Sequence, residues 1–318
     1  MSLLSECERR FGEVRPAPRA CATVVSRSLR VLRGSAFGAL LVVFVAATAA
    51  ASIGPAQRRP TTSVVRTTEG RPGVAPLIYA LAEFNSDVYG FSERPGHPLV
   101  VTLKGLRQPA DIFVDAARHV YVSDGGTVVE FSALGKPLQT FSDAGHNADG
   151  IALCPNGTLF VANSEGDTIS VYAGGSTQPT GTIVDAGTQV FHLACDSKSD
   201  LFATIGGKPG QVDEFPAQGS GPVNLPIHVF FPEGIAIDRA DDVVVANRAS
   251  IDFYRVGDSK PFKKIRVDGA ALDVAFEAND RRIWATTDNG LDRFSVSTGS
   301  RIDSISGTFG FIAASPRD

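Results

Sequence analysis

Five ionisable residues recur at intervals of about forty along the chain: Asp111, Asp149, His192, Glu233 and Asp273. Each stands at the head of a short apolar stretch: Ile112-Phe-Val, Ile151-Ala-Leu, Leu193-Ala-Cys, Ile235-Ala-Ile and Val274-Ala-Phe. Residues that lead equivalent strands of a repeat converge when the repeats surround an axis. Four carboxylates and one imidazole brought together offer hard oxygen donors plus a nitrogen, a set that suits Ca²⁺ or another divalent cation. The same residue types also do a plainer job, in which Asp and Glu accept hydrogen bonds from loop amides and Gly permits the turn. The other histidines, His97, His119, His146 and His228, form no recognisable nucleophile–base pair with a Ser, Cys or Asp.

Short β-strands must hold these residues. An aliphatic residue is followed three positions later by Phe or Tyr at Val88…Phe91, Val128…Phe131, Ile169…Tyr172, Val212…Phe215, Ile251…Tyr254 and Leu291…Phe294, with the aromatics 40, 41, 43, 39 and 40 residues apart. A period near forty built from short strands is the signature of a propeller blade. The opening strand of each repeat carries a small central residue, as crowding around an axis requires. A tight turn such as Cys154-Pro-Asn-Gly157 follows, then a second strand such as Leu159-Phe-Val-Ala-Asn163, the strand with the aliphatic–aromatic pair, and a fourth. Ile78–Leu103 contains strands two to four with no opening strand, whereas Phe311-Ile-Ala-Ala-Ser-Pro316 is an opening strand with nothing after it. Together they complete one blade. The expected fold is an all-β, six-bladed β-propeller of four-stranded blades over residues 77–318, closed by the C-terminal strand joining the N-terminal blade, which removes exposed sheet edges. Asp124, Asn163 and Asn247 share the end of the second strand, a recurrence that favours hydrogen bonding to the next turn. Trp284 and the repeated Phe and Tyr residues are assigned to the core between blades, and Lys260, Lys263, Lys264 and Arg266 to a solvated fourth strand.

The pattern Pro232-Glu-Gly-Ile-Ala-Ile-Asp238 followed by Val243-Val-Val-Ala-Asn247 resembles the NHL-repeat and SMP-30/gluconolactonase-like six-bladed propellers, and the likeness runs over residues 77–318. For the lactonases the resemblance implies a metal held around the channel by Glu, Asn and Asp. Glu233-Gly234 resembles their Glu-Gly element, though it falls late in the domain rather than at its start, and Asn147 or Asn163 is the candidate Asn ligand. The framework itself hosts many tasks, so the resemblance speaks for the fold more than for a reaction.

Composition sets the remaining bounds. Hydrophobic residues make up 43% of the 318, with 32 Gly and 19 Pro, as a turn-rich β protein requires. Residues 1–76 hold eleven Arg and four Glu (+7), and residues 77–318 hold nineteen Lys/Arg and thirty Asp/Glu (−11). So acidic a repeat domain repels phosphate backbones and excludes nucleic acid as a partner. Residues 1–34 are a basic, disordered leader; 35–54 an apolar helix that is either a signal peptide or a transmembrane anchor; 55–76 a disordered linker. Both readings of the apolar segment export the propeller, to the periplasm or extracellular space, and leave that segment as its only membrane contact. Cys154 and Cys195 lie one step out of register in adjacent opening strands, so two buried free thiols are expected. The sequence thus predicts a monomeric, exported binding or scaffold module for a small molecule or another exported protein, working through channel-rim loops around Asn147, Phe191 and Phe311. The alternative is a metal-dependent hydrolase or lactonase that uses the acidic rim.

Overall fold

In a computed structural model of the chain, the described residues are 76–315, apart from 83, 144–146, 185–188, 208, 220, 230–233 and 278. The basic leader, the apolar helix and the linker up to residue 75 lie outside them. No helix among the described residues is long and apolar enough to cross a membrane.

Six small antiparallel sheets follow one another around a central channel. The chain enters with β1 (Leu77–Ala82), β2 (Val88–Ser92) and β3 (Leu99–Leu103), the outer three strands of a blade that is completed only at the far end of the sequence. Blade 1 comprises β4 (Pro109–Val114), β5 (Val120–Asp124), β6 (Thr127–Phe131) and β7 (Pro137–Ser142). Blade 2 comprises β8 (Ala148–Leu153), β9 (Leu159–Asn163), β10 (Thr168–Tyr172) and β11 (Gly181–Val184). Blade 3 comprises β12 (Val190–Cys195), β13 (Leu201–Ile205), β14 (Gly210–Phe215) and β15 (Val223–Val229). Blade 4 has β16 (Ile235–Ile237), β17 (Val243–Tyr254) and β18 (Lys263–Ala271). Here β17 runs through the positions that two strands occupy elsewhere, with Arg248 at φ 53° where the other blades turn between them. Blade 5 comprises β19 (Asp273–Phe276), β20 (Arg282–Thr287), β21 (Gly290–Ser295) and β22 (Arg301–Ser306). Finally β23 (Phe309–Ala314) joins β1 to complete blade 6, in the order β23-β1-β2-β3.

That closure is specific. Ile78 pairs with Ala314, Tyr79 with Ala313 and Ala80 with Ile312. Beyond the ladder, the Ser315 amide donates to the Leu77 carbonyl at 2.8 Å and the Leu77 amide donates to Ser315 Oγ at 2.7 Å. The apolar core lies in the seams between blades. Tyr79, Leu103 and Phe311 of blade 6 pack with Ile112, Val122 and Phe131 of blade 1, and Phe202 and Val212 of blade 3 with Val245 and Tyr254 of blade 4. Phe131, Tyr172, Phe215, Tyr254 and Phe294 are buried in these seams, Phe91 is half-buried, and Trp284 is fully buried. Its ring lies edge-on to His97, 5.3 Å away in the turn between β2 and β3, while the Arg293 guanidinium sits 5.3 Å from it.

The turns after the opening strands stitch neighbouring blades. Their left-handed positions are Arg118, Gly157, Ser199, Asp241 and Asp280. Ser199 Oγ accepts from the Asn156 amide, Asp241 from both the amide and the hydroxyl of Ser197, and Asp280 from the Arg239 amide. The polar ends of the second strands are structural: Asp124 accepts from the amides of Arg107 and Gln108, Asn163 donates to Thr168 and Ser170, and Asn247 donates to Asp252. Lys263, Lys264 and Arg266 fall on β18, the outermost strand of its sheet.

The cysteines depart from expectation. Cys154 and Cys195 are not free thiols but a disulfide across the seam of blades 2 and 3, with Cα atoms 5.3 Å apart. Cys154 lies one residue past β8, at the start of its turn, where its amide donates to the Thr158 carbonyl. The up–down alternation of a strand therefore does not govern its direction.

Candidate functional site

The six opening strands enclose a cavity of about 210 Å³ along the axis. Apolar side chains, Ile112, Val114, Leu193, Ile235, Val274 and Ile312 among them, stand in its walls, while polar atoms make up the larger part of the surface it exposes. Among the described residues, the ionisable side chains that line it are Asp111, His192 and Asp273, and all three lie at the end where the strands begin. Among the described residues that end is closed: Asp111, His192, Asp273 and Phe311 are only 6, 4, 6 and 8% exposed. At the other end Phe113, Cys195, Ile237, Phe276 and Ala314 are half-buried, so access is from there.

The backbone explains how polar side chains reach the axis. In blades 1, 2, 3 and 6 the start of the opening strand is bulged, with two residues set against one on the second strand. Ala110 and Asp111 oppose Ser123; Asp149 and Gly150 oppose Ala162; Phe191 and His192 oppose Thr204; Gly310 and Phe311 oppose Leu81. A bulge interrupts the ladder and re-aims a side chain. The opposing hydroxyl then takes over a lost ladder bond: the Asp111 amide donates to Ser123 Oγ at 2.8 Å and the His192 amide to Thr204 Oγ1 at 3.0 Å. In blade 5 the register is regular, Asp273 pairing with Thr286, whose hydroxyl donates to the Gly310 carbonyl of the next blade at 2.7 Å. The rim thus alternates. Blades 1, 3 and 5 set Asp111, His192 and Asp273 over Ser123, Thr204 and Thr286. Blades 2, 4 and 6 set Gly150, Gly234 and Phe311 over Ala162, Ala246 and Leu81.

The two lining carboxylates join neighbouring strands. Asp111 accepts from the Ile112 amide at 2.8 Å and from the Ile151 amide of blade 2 at 2.9 Å. Asp273 accepts from its neighbour Val274 and from Ile312 of blade 6, each at 2.8 Å. His192 Nδ1 lies 3.8 Å from Asp111 Oδ2, an ion-pair distance, and the imidazole packs against Phe311 with centroids 4.3 Å apart and the rings tilted by 39°. Burial opposes protonation of His192, but Asp111, aided by Asp149 and Asp273, outweighs it and raises the pKa to about 9. Asp273 is held well above the usual carboxylate range by burial and by the charge of Asp111, against the pull of His192 and the two amides.

Of the residues singled out from the sequence, Asp111, His192 and Asp273 meet at the closed end of the channel. Asp149 is buried one step above the lining, its Oδ1 without a hydrogen-bond partner. Phe311 caps the closed end; Phe191 and Asn147 are half-buried, and the Phe191 ring lies beside Gly206, within 3.0 Å of where a Cβ there would sit. Glu233 lies outside the described residues. Among the described residues no three His, Cys, Asp or Glu side chains are arranged to hold a metal ion. Each oxygen of Asp111 and Asp273 accepts a hydrogen bond from a backbone amide. Sequence reading missed the supporting hydroxyls Ser123, Thr204 and Thr286, although their recurrence in every second repeat was there to be read, and it missed the disulfide that brings Cys195 to the channel wall.

No protein-family model matches the chain, and no curated protein matches it. Solved structures do match, 1325 chains in all, so the architecture is a widespread one. One is a chain in the crystal structure of a nidogen/laminin complex, 14% identical, covering 76% of this chain and 98% of that one with a TM-score of 0.63. At that identity the likeness is one of fold: the chain carries a six-bladed β-propeller similar to the one in that complex.

Proposed function

We propose that this chain is an exported propeller of the NHL-like type that serves as a binding module, with its central channel as the ligand site. The observation that carries this reading is the axial cavity, lined by apolar side chains and by strand backbone and supplied at one end with three convergent ionisable side chains. A concave pocket that combines apolar side chains with a few oriented polar groups is what a small-molecule site requires. Rim residues that differ between blades on a rigid repeating ring supply the selectivity. The structural neighbour belongs to a protein–protein complex, which agrees with recognition as the task. Export is supported by the Cys154–Cys195 disulfide, since such bonds persist in oxidising compartments.

The test is ligand-observed NMR with a library of small organic fragments on the wild-type chain and on Ala236→Leu, which places a larger side chain in the channel wall. Fragments that bind the wild type and lose binding in the variant, with the melting temperature little changed, support the channel. Fragments that bind both proteins equally, or no binding to either, overturn it. Export is checked by alkylating intact cells before and after a reductant: Cys154 and Cys195 labelled without reductant would contradict an oxidising compartment.

A further inference from the structure

We propose that the turn between β17 and β18, on the outer rim of blade 4, is a docking surface for a membrane and rests on anionic phospholipid headgroups. The proposal is independent of the channel and adds a second membrane contact to the N-terminal segment. Val256 and Phe262 are 46 and 48% exposed within this one turn. Among the described residues, the other exposed large apolar side chains, Phe84, Leu99, Leu138, Val184, Val223 and Ile302, stand one to a strand or turn. Single exposed apolar residues are ordinary. A pair set among cations has the make-up of an interfacial site.

The charge around the pair fits that occupant. Residues 77–318 carry nineteen Lys/Arg against thirty Asp/Glu, yet residues 252–266 carry Arg255, Lys260, Lys263, Lys264 and Arg266 against Asp252 and Asp258 alone. Asp252 is fully buried and paired to Lys264 at 2.8 Å, so Asp258 is the one carboxylate of the stretch that faces outwards. From the neighbouring turn, half-buried Asp242 comes within reach of the charges of Arg255 and Asp258. Arg255 and Lys263 lie over the rings of Phe262 and Phe253, 5.4 and 5.1 Å from their centroids, so cations and aromatics form one surface. Each cation near an anionic bilayer adds to the attraction, and the apolar pair settles below the headgroups. Placement agrees. The turn lies where the opening strands finish, since β17 pairs Val243 with Ile237 at that end and returns to it at Tyr254. The described chain enters at the same end, where the Leu77 amide bonds to Ser315 just past β23. Only the stretch 55–75 separates that entry from the apolar segment read in the sequence, and a flexible chain of that length reaches roughly 25 Å. A bilayer holding that segment would meet this end of the ring first.

The experiment mixes the full-length chain carrying Phe262→Trp with phosphatidylcholine vesicles, with and without phosphatidylglycerol. Trp284 is fully buried and supplies a constant background, so the new indole reports on its own turn whatever the apolar segment does. Its emission should shift to the blue, and bromine-labelled acyl chains should quench it, only when phosphatidylglycerol is present. Lys260→Glu combined with Arg266→Glu, both exposed, should raise the lipid needed for half the shift by roughly tenfold or more. Val184→Trp, 69% exposed at the opposite end of blade 2, should stay silent. No shift of Phe262→Trp on anionic vesicles overturns the proposal, as does an equal shift on phosphatidylcholine alone or an equal response from Val184→Trp. A shift produced by polyglutamate and not by vesicles also overturns it and gives the patch to an acidic protein. Should the double Glu variant not fold, salt decides: it screens exposed charges, and a shift that survives high salt sinks the headgroup contact.

Discussion

His192 is an imidazole kept charged inside a protein, and the consequence is a stability that depends on alkali more than on acid. Its pKa in the folded chain, about 9, exceeds the ordinary 6.5. Its contribution is therefore complete below about pH 6.5 and is lost as the pH climbs through 9. Asp273, also raised, acts in the same direction, because the native state holds its proton more firmly than the unfolded chain does. At about 1.4 kcal/mol per tenfold change in proton affinity, the His192 contribution is on the order of 3 kcal/mol. Urea unfolding at pH 6 and pH 9.5 should show the loss, and His192→Gln should flatten the profile; a wild-type profile already flat across that range would refute the account. These ionisable residues were legible in the sequence because a forty-residue interval marks equivalent positions on a ring. The thiols were misread for a local reason: Cys154 sits just beyond the strand whose alternation was used to aim it. Cys154→Ser should cost roughly 2–4 kcal/mol, since the bond closes a loop of 41 residues between neighbouring blades. Thermal melts with and without reductant measure this, and the variant should respond to neither.

At the scale of strands and turns, the opening strands approach so closely that side-chain size is restricted. A Cβ on Gly150 would meet the Phe191 carbonyl oxygen at 2.3 Å and His192 Cα at 2.7 Å, both backbone atoms that cannot swing away. Gly150→Ala should therefore destabilise by roughly 3 kcal/mol, read as a fall in the unfolding midpoint; a neutral result would mean that the two strands part more easily than their packing suggests. Small residues in these strands were predicted from crowding at an axis, and the strands themselves from their aliphatic–aromatic pairs. The bulges were not, because adding one residue to a strand leaves the apolar pattern on either side intact. Nor was the stitching between turns, which uses the left-handed position of one turn to hold the amide of its neighbour. Asp241→Ala removes two such bonds, of 2.9 and 2.8 Å. It should cost about 1 kcal/mol at this solvent-facing site, while Asp258→Ala, in an exposed turn of the same blade, should serve as a silent control.

For the molecule as a whole, the ring is held shut by the pairing of β23 with β1. The sequence disclosed this directly, through a blade that lacked its first strand and a strand that lacked its blade. Trp284, the chain's single tryptophan, lies against His97 of the closing blade, so its fluorescence reports on that seam. Deleting residues 311–318 should shift the emission to the red and remove the cooperative melt; a truncated chain with unshifted emission would mean that the other five blades hold themselves together. What stayed hidden in the sequence was the long-range consequence of the rim pattern. Polar residues over hydroxyls alternate with Gly or Phe over Ala or Leu, so the unit of repetition at the axis is two blades rather than one. The channel end is in effect a triangle set within a hexagon. Gain or loss of a single blade would put two like blades side by side and throw the rim out of phase, whereas a pair could come or go and leave the alternation intact. Ancestry by duplication of a two-blade segment would leave that mark.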